Sequence, residues 1–288
     1  TGTAPTNLTL AAVVHPDNSG NVAFTASATG ATTYEYDFGN GIFQVVPSGV
    51  VTYRDPTLGT YRAKVTAKNA SNSSISKTIT VTISNITQAL IWSDEFDTPG
   101  APNSAKWGYD LGAGGWGNQE LQHYTNRLEN AVVEGGFLKI KSIRENFSGS
   151  TFTSARLKSQ GKFDFKYGRV EARAKLPAGV GTWAAIWMLG SNIATNPWPA
   201  CGEIDIMEHL GRDINKIYGT LHYPGRSGGN ADGNTKVISN ATTEFHIYST
   251  EWSATRIDIR VDGELIHSVV NSQNIPFNHN FFLIMNLA

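Results

Sequence analysis

Short segments in which apolar and polar residues alternate run through the chain, separated by clusters of turn residues. This alternation is typical of strands with one buried face, and no helical period of useful length is visible in the second part. The 288 residues are 40% hydrophobic and 16% charged, which is enough to bury a sizeable core. The pattern therefore predicts an all-β protein.

The composition changes near residue 85, because all seven tryptophans, all three methionines and the single cysteine lie beyond it. Before that point, short strands rich in Thr, Val and Ala indicate a small β-sandwich. We predict one domain over residues 1–84, a linker over 85–89 and a second domain over 90–288.

Two segments of the first part, YEYDFGNG (34–41) and GTYRAKVTAKN (59–69), resemble the signatures of PKD domains. Tyr36 stands where that family usually has Trp, and Asn40 stands where it usually has Asp. The resemblance implies an immunoglobulin-like β-sandwich that acts as a spacer or stabilising module. Binding of a polysaccharide or of another partner is the alternative.

The second part continues in strand-like segments, and VDGEL (261–265) has the Asp-Gly of a tight hairpin turn. Alternating strands over about 200 residues, with aromatic-rich loops, predict a two-sheet antiparallel sandwich. The segments are 135–144, 167–177, 203–208, 245–252 and 255–270.

Three carboxylates interrupt an apolar strand-like run, CGEIDIMEHLG (201–211). Strict alternation places Glu203 and Asp205 on one face but Glu208 on the other, where burying its charge is costly. One extra residue in the strand, a β-bulge, returns Glu208 to the acidic face. We predict such a bulge, with Met207 as the extra residue.

Carboxyls gathered on one face cannot all stay ionised, so at least one pKa is expected to rise. A protonated acid beside an ionised carboxylate is the pair that glycosidases use, at roughly 5–5.5 Å in retaining enzymes. A salt-bridged acidic face and a metal site are the alternatives that the three residues leave open.

The stretch GEIDIMEHLG resembles the E-x-D-x-x-E signature of glycoside hydrolase family 16, in the bulged form of its laminarinase, agarase and carrageenase branches. The wider resemblance, to bacterial endo-β-1,3-glucanases, spans about 90–288. It implies a concanavalin-like β-jelly roll with a cleft across its concave sheet. It also implies Glu203 as nucleophile, Glu208 as general acid/base and Asp205 as the residue that tunes them. The other matching segments are SDEFDTPG (93–100), GGWGNQELQHYT (114–125), FTSARLKS (152–159), YGRVEARAKLP (167–177), GTWAAIWML (181–189), GTLHYPG (219–225) and FFLIMNLA (281–288).

Aromatic rings stack on the apolar faces of sugars, while amides, arginine and carboxylates bond their hydroxyls. Within the matching segments, we expect six residues to bind substrate. We treat Trp198 as a weaker candidate and expect Trp92, Trp107 and Trp252 to fill the core. The six are Trp116, Asn118, Arg156, Trp183, Trp187 and His222.

The resemblance implies no cofactor for catalysis and a possible structural Ca²⁺ near Glu95 and Gly136, bound through backbone oxygens. The family's usual side-chain ligand is an Asp on the last strand, and the chain stops at FFLIMNLA, before that strand. We therefore expect the catalytic domain to be truncated at its C-terminus.

The formal net charge of −1 favours a neutral polymer over nucleic acid or an anionic membrane as the partner. No apolar run approaches the roughly 18–20 residues that span a bilayer. Low charge and many Thr, Ser, Asn and Gly fit a secreted or cell-surface bacterial protein, expected to be monomeric. We expect endo-hydrolysis of β-1,3-glucan. A galactan hydrolase and a non-catalytic β-glucan-binding protein are the alternatives.

Overall fold

The computed structural model describes residues 2–16, 19–55, 58–86 and 90–288. The chain forms two compact units, Thr1–Ser93 and Asp94–Ala288. Part of the predicted linker, residues 87–89, lies outside the described residues, and the domain limits at 84 and 90 stay a prediction. Within the described ranges, no helix is both long and apolar enough to cross a membrane.

The first unit consists of two antiparallel sheets, ordered β1-β2-β5 and β4-β3-β6-β7. Its strands alternate buried and exposed residues, as period-two patterning predicts. The strands are β1 (Thr6–Val14), β2 (Asn21–Thr29), β3 (Thr33–Asp37), β4 (Phe43–Val46), β5 (Val50–Arg54), β6 (Gly59–Lys68) and β7 (Ser74–Ile83).

Aromatic side chains fill the core between these two sheets. Phe24 on β2 lies 5.7 Å from Tyr36 and 5.4 Å from Phe38, measured between ring centroids. Tyr36 is fully buried, and its hydroxyl donates a hydrogen bond of 2.6 Å to the carbonyl of Gly49. The tyrosine that replaces the usual tryptophan therefore fills the core and satisfies its polar end.

The second unit has sixteen strands and one short 3₁₀ helix, Gly228–Asn230. The strands are β8 (Gly108–Asp110), β9 (Gln122–Tyr124), β10 (Ala131–Glu134), β11 (Phe137–Ile140), β12 (Ile143–Phe147), β13 (Ser150–Ser154), β14 (Arg156–Lys158), β15 (Gly168–Ala174), β16 (Trp183–Gly190), β17 (Glu203–Leu210), β18 (Lys216–His222), β19 (Asp232–Val237), β20 (His246–Trp252), β21 (Arg256–Val261), β22 (Glu264–Val270) and β23 (Phe281–Leu287).

A seven-stranded sheet ordered β19-β18-β17-β16-β23-β14-β8 packs on a four-stranded sheet ordered β15-β20-β21-β22. Gly219 on β18 shows how close the sheets are, because a Cβ there would lie 2.8 Å from Ile259 on β21. Smaller sheets join β10 to β11 and order β12-β13-β9. The predicted all-β class, a small sandwich followed by a larger one, is confirmed.

Local expectations for the residues beyond 90 hold with one exception. Asp262 and Gly263 both have positive φ, 49° and 80°, so the Asp-Gly pair forms the predicted tight turn between β21 and β22. Trp107 and Trp252 are buried as expected. Trp92 is half-buried and belongs to the first unit, so the expectation that it fills the core is wrong.

Candidate active site

The predicted β-bulge is present in β17. Across β16, Ile186 pairs with Met207 and Trp187 pairs with Asp205, which leaves Ile206 without a partner. On the other side of the strand, Ile206 and Met207 together face one residue of β18, Gly219. The expectation that Met207 is the extra residue is therefore wrong for the β16 pairing, where the extra residue is Ile206.

The bulge sorts the side chains of β17 as the sequence required. Ile204, Ile206 and Met207 are buried to 1% exposure or less. The carboxyls of Glu203 and Glu208 remain partly exposed, with Asp205 buried between them in sequence. Two consecutive apolar residues enter the core at the bulge, so the acids before and after it lie on the same face.

Glu208 is held by two hydrogen bonds from neighbouring strands. The indole Nε1 of Trp183 on β16 donates to its Oε1 at 3.0 Å. The hydroxyl of Thr220 on β18 donates to its Oε2 at 3.3 Å. Burial raises the pKa of Glu208, while the Trp183 bond opposes that rise, so both neighbours orient this carboxyl and tune it.

His222 lies beside the other two acids. Its Nε2 is 3.2 Å from Oδ2 of Asp205 and 3.8 Å from Oε1 of Glu203. The 3.2 Å contact is not aligned as a hydrogen bond, and Oδ2 of Asp205 is buried without a hydrogen-bond donor among the described residues. The backbone N–H of Gly228 donates to Nδ1 of His222 at 3.1 Å. The proton of the neutral ring is therefore on Nε2, facing the carboxylates.

Burial raises the pKa of all three acids, and repulsion from neighbouring carboxylates adds to the rise for Glu203 and Asp205. For Glu203 the largest cause is burial, followed by the charge of Asp205, and His222 acts in the opposite direction. For Asp205 the causes are burial and then the charge of Glu208. The cluster therefore holds at least one proton at a pH where isolated carboxyls are ionised, which suits acid/base chemistry.

Two of these acids, together with His222, also form a candidate metal site. Ligand atoms of Glu203, Asp205 and His222 lie within 4.8 Å of one another. A metal needs an unprotonated nitrogen, but Nε2 carries the ring proton because Nδ1 accepts from Gly228. The hydrogen bonding around His222 thus favours a role of this cluster in proton transfer over metal binding.

Aromatic side chains extend the cleft away from the acids. The guanidinium carbon of Arg156 lies 5.0 Å from the ring centre of Trp116 and 4.8 Å from that of Trp187. Arg156 also pairs with Asp110 at 3.0 Å, and its side chain is 13% exposed. Arg156 therefore lies between two indoles with its charge balanced.

Strand register aligns five residues in one row across the seven-stranded sheet. Paired residues point to the same face, so the members of the row share the cleft side. In order across the strands, the row is Asp110, Arg156, Asn286, Ala185 and Glu208.

A family model described as "Glycosyl hydrolases family 16" matches residues 117–287, and a PKD domain model matches residues 7–83. The chain belongs to glycosyl hydrolases family 16. It carries a PKD domain ahead of the family 16 domain. The fold, the acidic strand and the family match agree that the second unit is a glycoside hydrolase.

Curated and solved relatives agree with this family. A beta-glucanase of Rhodothermus marinus is 45% identical over 213 residues, 69% of this chain and 74% of that protein. Glucan endo-1,3-beta-glucosidase A1 of Niallia circulans is 37% identical over 69% of this chain and 33% of its own length. The solved laminarinase of R. marinus matches with a TM-score of 0.67 and 45% identity, over 69% of this chain and 85% of that one.

The structure gathers most of the predicted site residues into two neighbouring groups. Trp183 and His222 lie with the three acids, and Trp187 joins them through its pairing with Asp205. Arg156 lies farther along the row with Trp116 against it, and Asn118 lies exposed on the loop of Trp116. Their roles in catalysis and in sugar binding stay predictions.

Sequence reasoning underrated Trp198 and missed Thr220. Trp198 is 45% exposed, and its ring centre lies 5.8 Å from that of His222. The signal for Thr220 was available, because it stands two residues before His222 on β18 and therefore on the same face. Trp198 lies on a loop, where no such alternation applies.

The predicted calcium residues lie away from the cleft acids in sequence. Gly136 is in the turn between β10 and β11, and Glu95 is an exposed residue of the segment that leads to Gly100, which pairs with Val133. Among the described side chains, the one group of three or more metal ligands is in the cleft. Since Ca²⁺ takes six to eight oxygens, backbone oxygens would dominate the site. Calcium binding stays a prediction.

Proposed function

We propose that the family 16 domain hydrolyses internal β-1,3 linkages of laminarin-like glucans with retention of configuration. Glu203 is the nucleophile, Glu208 the general acid/base and Asp205 the residue that tunes them. The observation that carries this proposal is the bulge in β17, which brings both glutamates to one face of the sheet. The names of the R. marinus and N. circulans relatives support the substrate.

The proposed reaction has two steps. In the first, the protonated Glu208 gives its proton to the glycosidic oxygen while a carboxylate oxygen of Glu203 attacks C1 from the opposite face. The C1–O bond breaks, and a glycosyl ester forms on Glu203. In the second, Glu208 takes a proton from water, the water oxygen attacks C1 and the ester bond breaks. Two inversions at C1 give overall retention.

Neighbouring groups act on each acid in a way that bears on its proposed role. The Nε2–H of His222 faces Glu203 and Asp205 and opposes the rise in the pKa of Glu203 that burial and Asp205 cause. Asp205, almost fully buried, adds negative charge beside Glu203 and keeps a shared proton within the cluster. Trp183 and Thr220 fix the direction in which Glu208 presents its proton.

A neutral substrate suits the charges of the cleft. Asp110 forms ion pairs with both nearby cations, Arg156 at 3.0 Å and Lys158 at 2.5 Å, so neither cation lacks an acidic partner. A sulfated galactan would favour unpaired cations. Axial hydroxyls of galactose would also leave polar groups unpaired, at about 1–3 kcal/mol each.

The decisive experiment compares kcat/KM on laminarin, lichenan, agarose and carrageenan. We expect laminarin to be cleaved best, the mixed-linkage lichenan more slowly, and the two galactans not measurably. Faster cleavage of agarose or carrageenan than of laminarin would overturn the substrate and leave the three-acid mechanism in place.

The acids are tested in the same assay. Glu203→Gln and Glu208→Gln are each expected to lower turnover by several orders of magnitude with the fold intact. Glu171→Gln, on β15 of the other sheet, is the matched control and should retain full turnover. Near-normal activity of either folded cleft variant would refute the assignment of that glutamate.

Secretion and the spacer role of the PKD domain complete the proposal. A polymeric glucan is met outside the cell, which is where a low-charge, Thr- and Ser-rich chain of this kind is expected to act. Cell fractionation of the native host, followed by detection of the chain in the medium or at the surface, tests the location.

A further inference from the structure

A continuous hydrogen-bond chain joins the floor of the cleft to the loop that carries Trp116. Nε1 of Trp187 donates to Oδ1 of Asn286 at 2.8 Å. Nδ2 of Asn286 donates to the hydroxyl of Tyr124 at 3.1 Å. That hydroxyl donates to Oε2 of Glu120 at 3.0 Å. Four side chains that are far apart in sequence are thereby connected.

Trp187 sets the donor-to-acceptor direction of this hydrogen-bond chain. An indole N–H only donates, so Asn286 must turn its oxygen toward Trp187 and its amino group toward Tyr124. Tyr124 then accepts from Asn286 and has its single proton free for Glu120. Burial, and next the charge of Glu120, raise the pKa of Tyr124, so the hydroxyl keeps that proton.

Glu120, at the far end of the hydrogen-bond chain, accepts hydrogen bonds from further residues of the loop. Besides the Tyr124 hydroxyl, it accepts from Nδ2 of Asn118 at 3.2 Å and from Nε2 of Gln122 at 2.5 Å. A carboxylate that accepts from three side chains is a rigid junction. Asn118, a predicted sugar-binding residue, is thus anchored to the cleft floor through Glu120.

The loop needs such an anchor because its backbone is unusual. Trp116 has φ of 47° and Gln119 has φ of 59°, a left-handed conformation that side-chain-bearing residues adopt at a cost. Tyr124 is fully buried, and its ring centre lies 5.4 Å from that of Trp116. The same residue therefore packs under the indole and carries the hydrogen-bond chain.

We propose that Tyr124 and Glu120 are positioning residues that set Trp116 and Asn118 at a fixed distance from Trp187 for the binding of longer glucan chains. This inference rests on the proposed β-glucan hydrolysis. Arg156, which lies between both indoles, is three strands from Glu208 in the row, or about 14 Å at the usual strand spacing. We therefore expect short substrates bound at the acids not to reach Trp116 and Asn118.

The test measures kcat and KM of the full chain on laminarin oligosaccharides of increasing length. Tyr124→Phe removes one oxygen atom, and we expect KM for the longest oligosaccharides to rise about tenfold, with kcat and the values for the shortest cleaved substrate within about twofold. Glu120→Gln keeps the shape of the side chain but loses an acceptor, and should give the same length dependence. Because Glu120 is partly exposed, this variant serves even if Tyr124→Phe is destabilised.

Tyr248→Phe is the matched control. Tyr248 is equally buried, lies on β20 of the other sheet, and its hydroxyl has no hydrogen-bond partner among the described residues. We expect it to leave both constants unchanged. Equal losses on short and long substrates, or unchanged KM in both Tyr124→Phe and Glu120→Gln, would overturn the inference. If the unaltered chain cleaved no β-1,3-glucan, the proposed function itself would fail.

Discussion

Ala185 on β16 is the register partner of Glu208 on β17, and on its other side it is the partner of Asn286 on β23. It shares the cleft face of β16 with Trp183 and Trp187, two residues before and after it. The smallest chiral side chain thus separates the proposed general acid from the aromatic part of the cleft. A sugar crossing the strands along this row passes over Ala185.

A larger side chain at position 185 should block the cleft without altering the acids. We expect Ala185→Leu to lower kcat/KM on laminarin by at least about a hundredfold, because the added side chain occupies space that the substrate needs. Ala185→Ser, which adds one atom, is the control and should lose less than about tenfold. Full activity of folded Ala185→Leu would show that substrate does not follow this row.

His222 should control the acid limb of the pH profile. Its effect on Glu203 is to lower the pKa, so His222→Ala raises that pKa. Since the nucleophile must be ionised, the acid limb of kcat/KM should move to higher pH. The other titratable groups around this acid cluster are Asp205 and Glu208 on the strand of Glu203, Tyr218 opposite Glu208 on β18, and the thiol of Cys201. The strand on the other side, β16, carries none.

The matched control for this profile is His267→Gln on β22, whose partner is Asp232 at 3.0 Å. We expect its acid limb to coincide with that of the unaltered chain. If His222 only bonds the sugar, His222→Ala will raise KM while the acid limb stays in place.

Removing a cleft carboxyl should stabilise the fold at neutral pH. The pKa of Glu203 is raised in the folded state, so below its unfolded pKa the group costs nothing, and above it folding is opposed. Glu203→Gln should therefore gain stability as pH rises from about 5 to 8. Each kcal/mol gained appears as about 2–4 °C in Tm for a unit of this size.

Thermal unfolding of Glu203→Gln and of Glu171→Gln across that pH range checks this expectation. The exposed Glu171, paired with Arg169, should show no gain that grows with pH. Equal Tm values for Glu203→Gln and the unaltered chain at every pH would show that the cleft acids are not strained by burial.

The PKD domain should be dispensable for turnover of soluble substrate. All proposed catalytic and sugar-binding residues lie within Asp94–Ala288. Deletion of residues 1–84 is therefore expected to leave kcat/KM on soluble laminarin within about twofold. Circular dichroism confirms that the remaining protein is folded. Loss of turnover by a folded deletion variant would contradict the assignment of catalysis and sugar binding to the second unit alone.

The all-β fold and the acidic strand were predictable because both follow from alternation. A charged glutamate in a sandwich core is costly, and that cost alone demanded the bulge in β17. The Asp262–Gly263 turn was predictable because both residues tolerate positive φ. Within these elements, local chemistry decides the structure.

The contacts that join distant strands were not predictable. Tyr124 meets Asn286 across 162 residues because β23 enters the sheet between β16 and β14, and no local pattern specifies that order. Arg156 was expected to bond sugar, but its place between two indoles depends on the same strand order. Which residue of the bulge is the extra one likewise depends on both neighbouring strands.

The configuration of the glycosyl azide formed by rescued variants tests the central claim, the roles of Glu203 and Glu208, most directly. With an activated aryl β-laminarioside and azide, Glu203→Ala should form the α-glycosyl azide, because the small anion replaces the nucleophile and attacks from its face. Glu208→Ala keeps the nucleophile, so azide should open the glycosyl ester to give the β-glycosyl azide. Nuclear magnetic resonance of the anomeric proton distinguishes the two products. A β-glycosyl azide from Glu203→Ala would contradict the account, because the catalytic roles would then be exchanged.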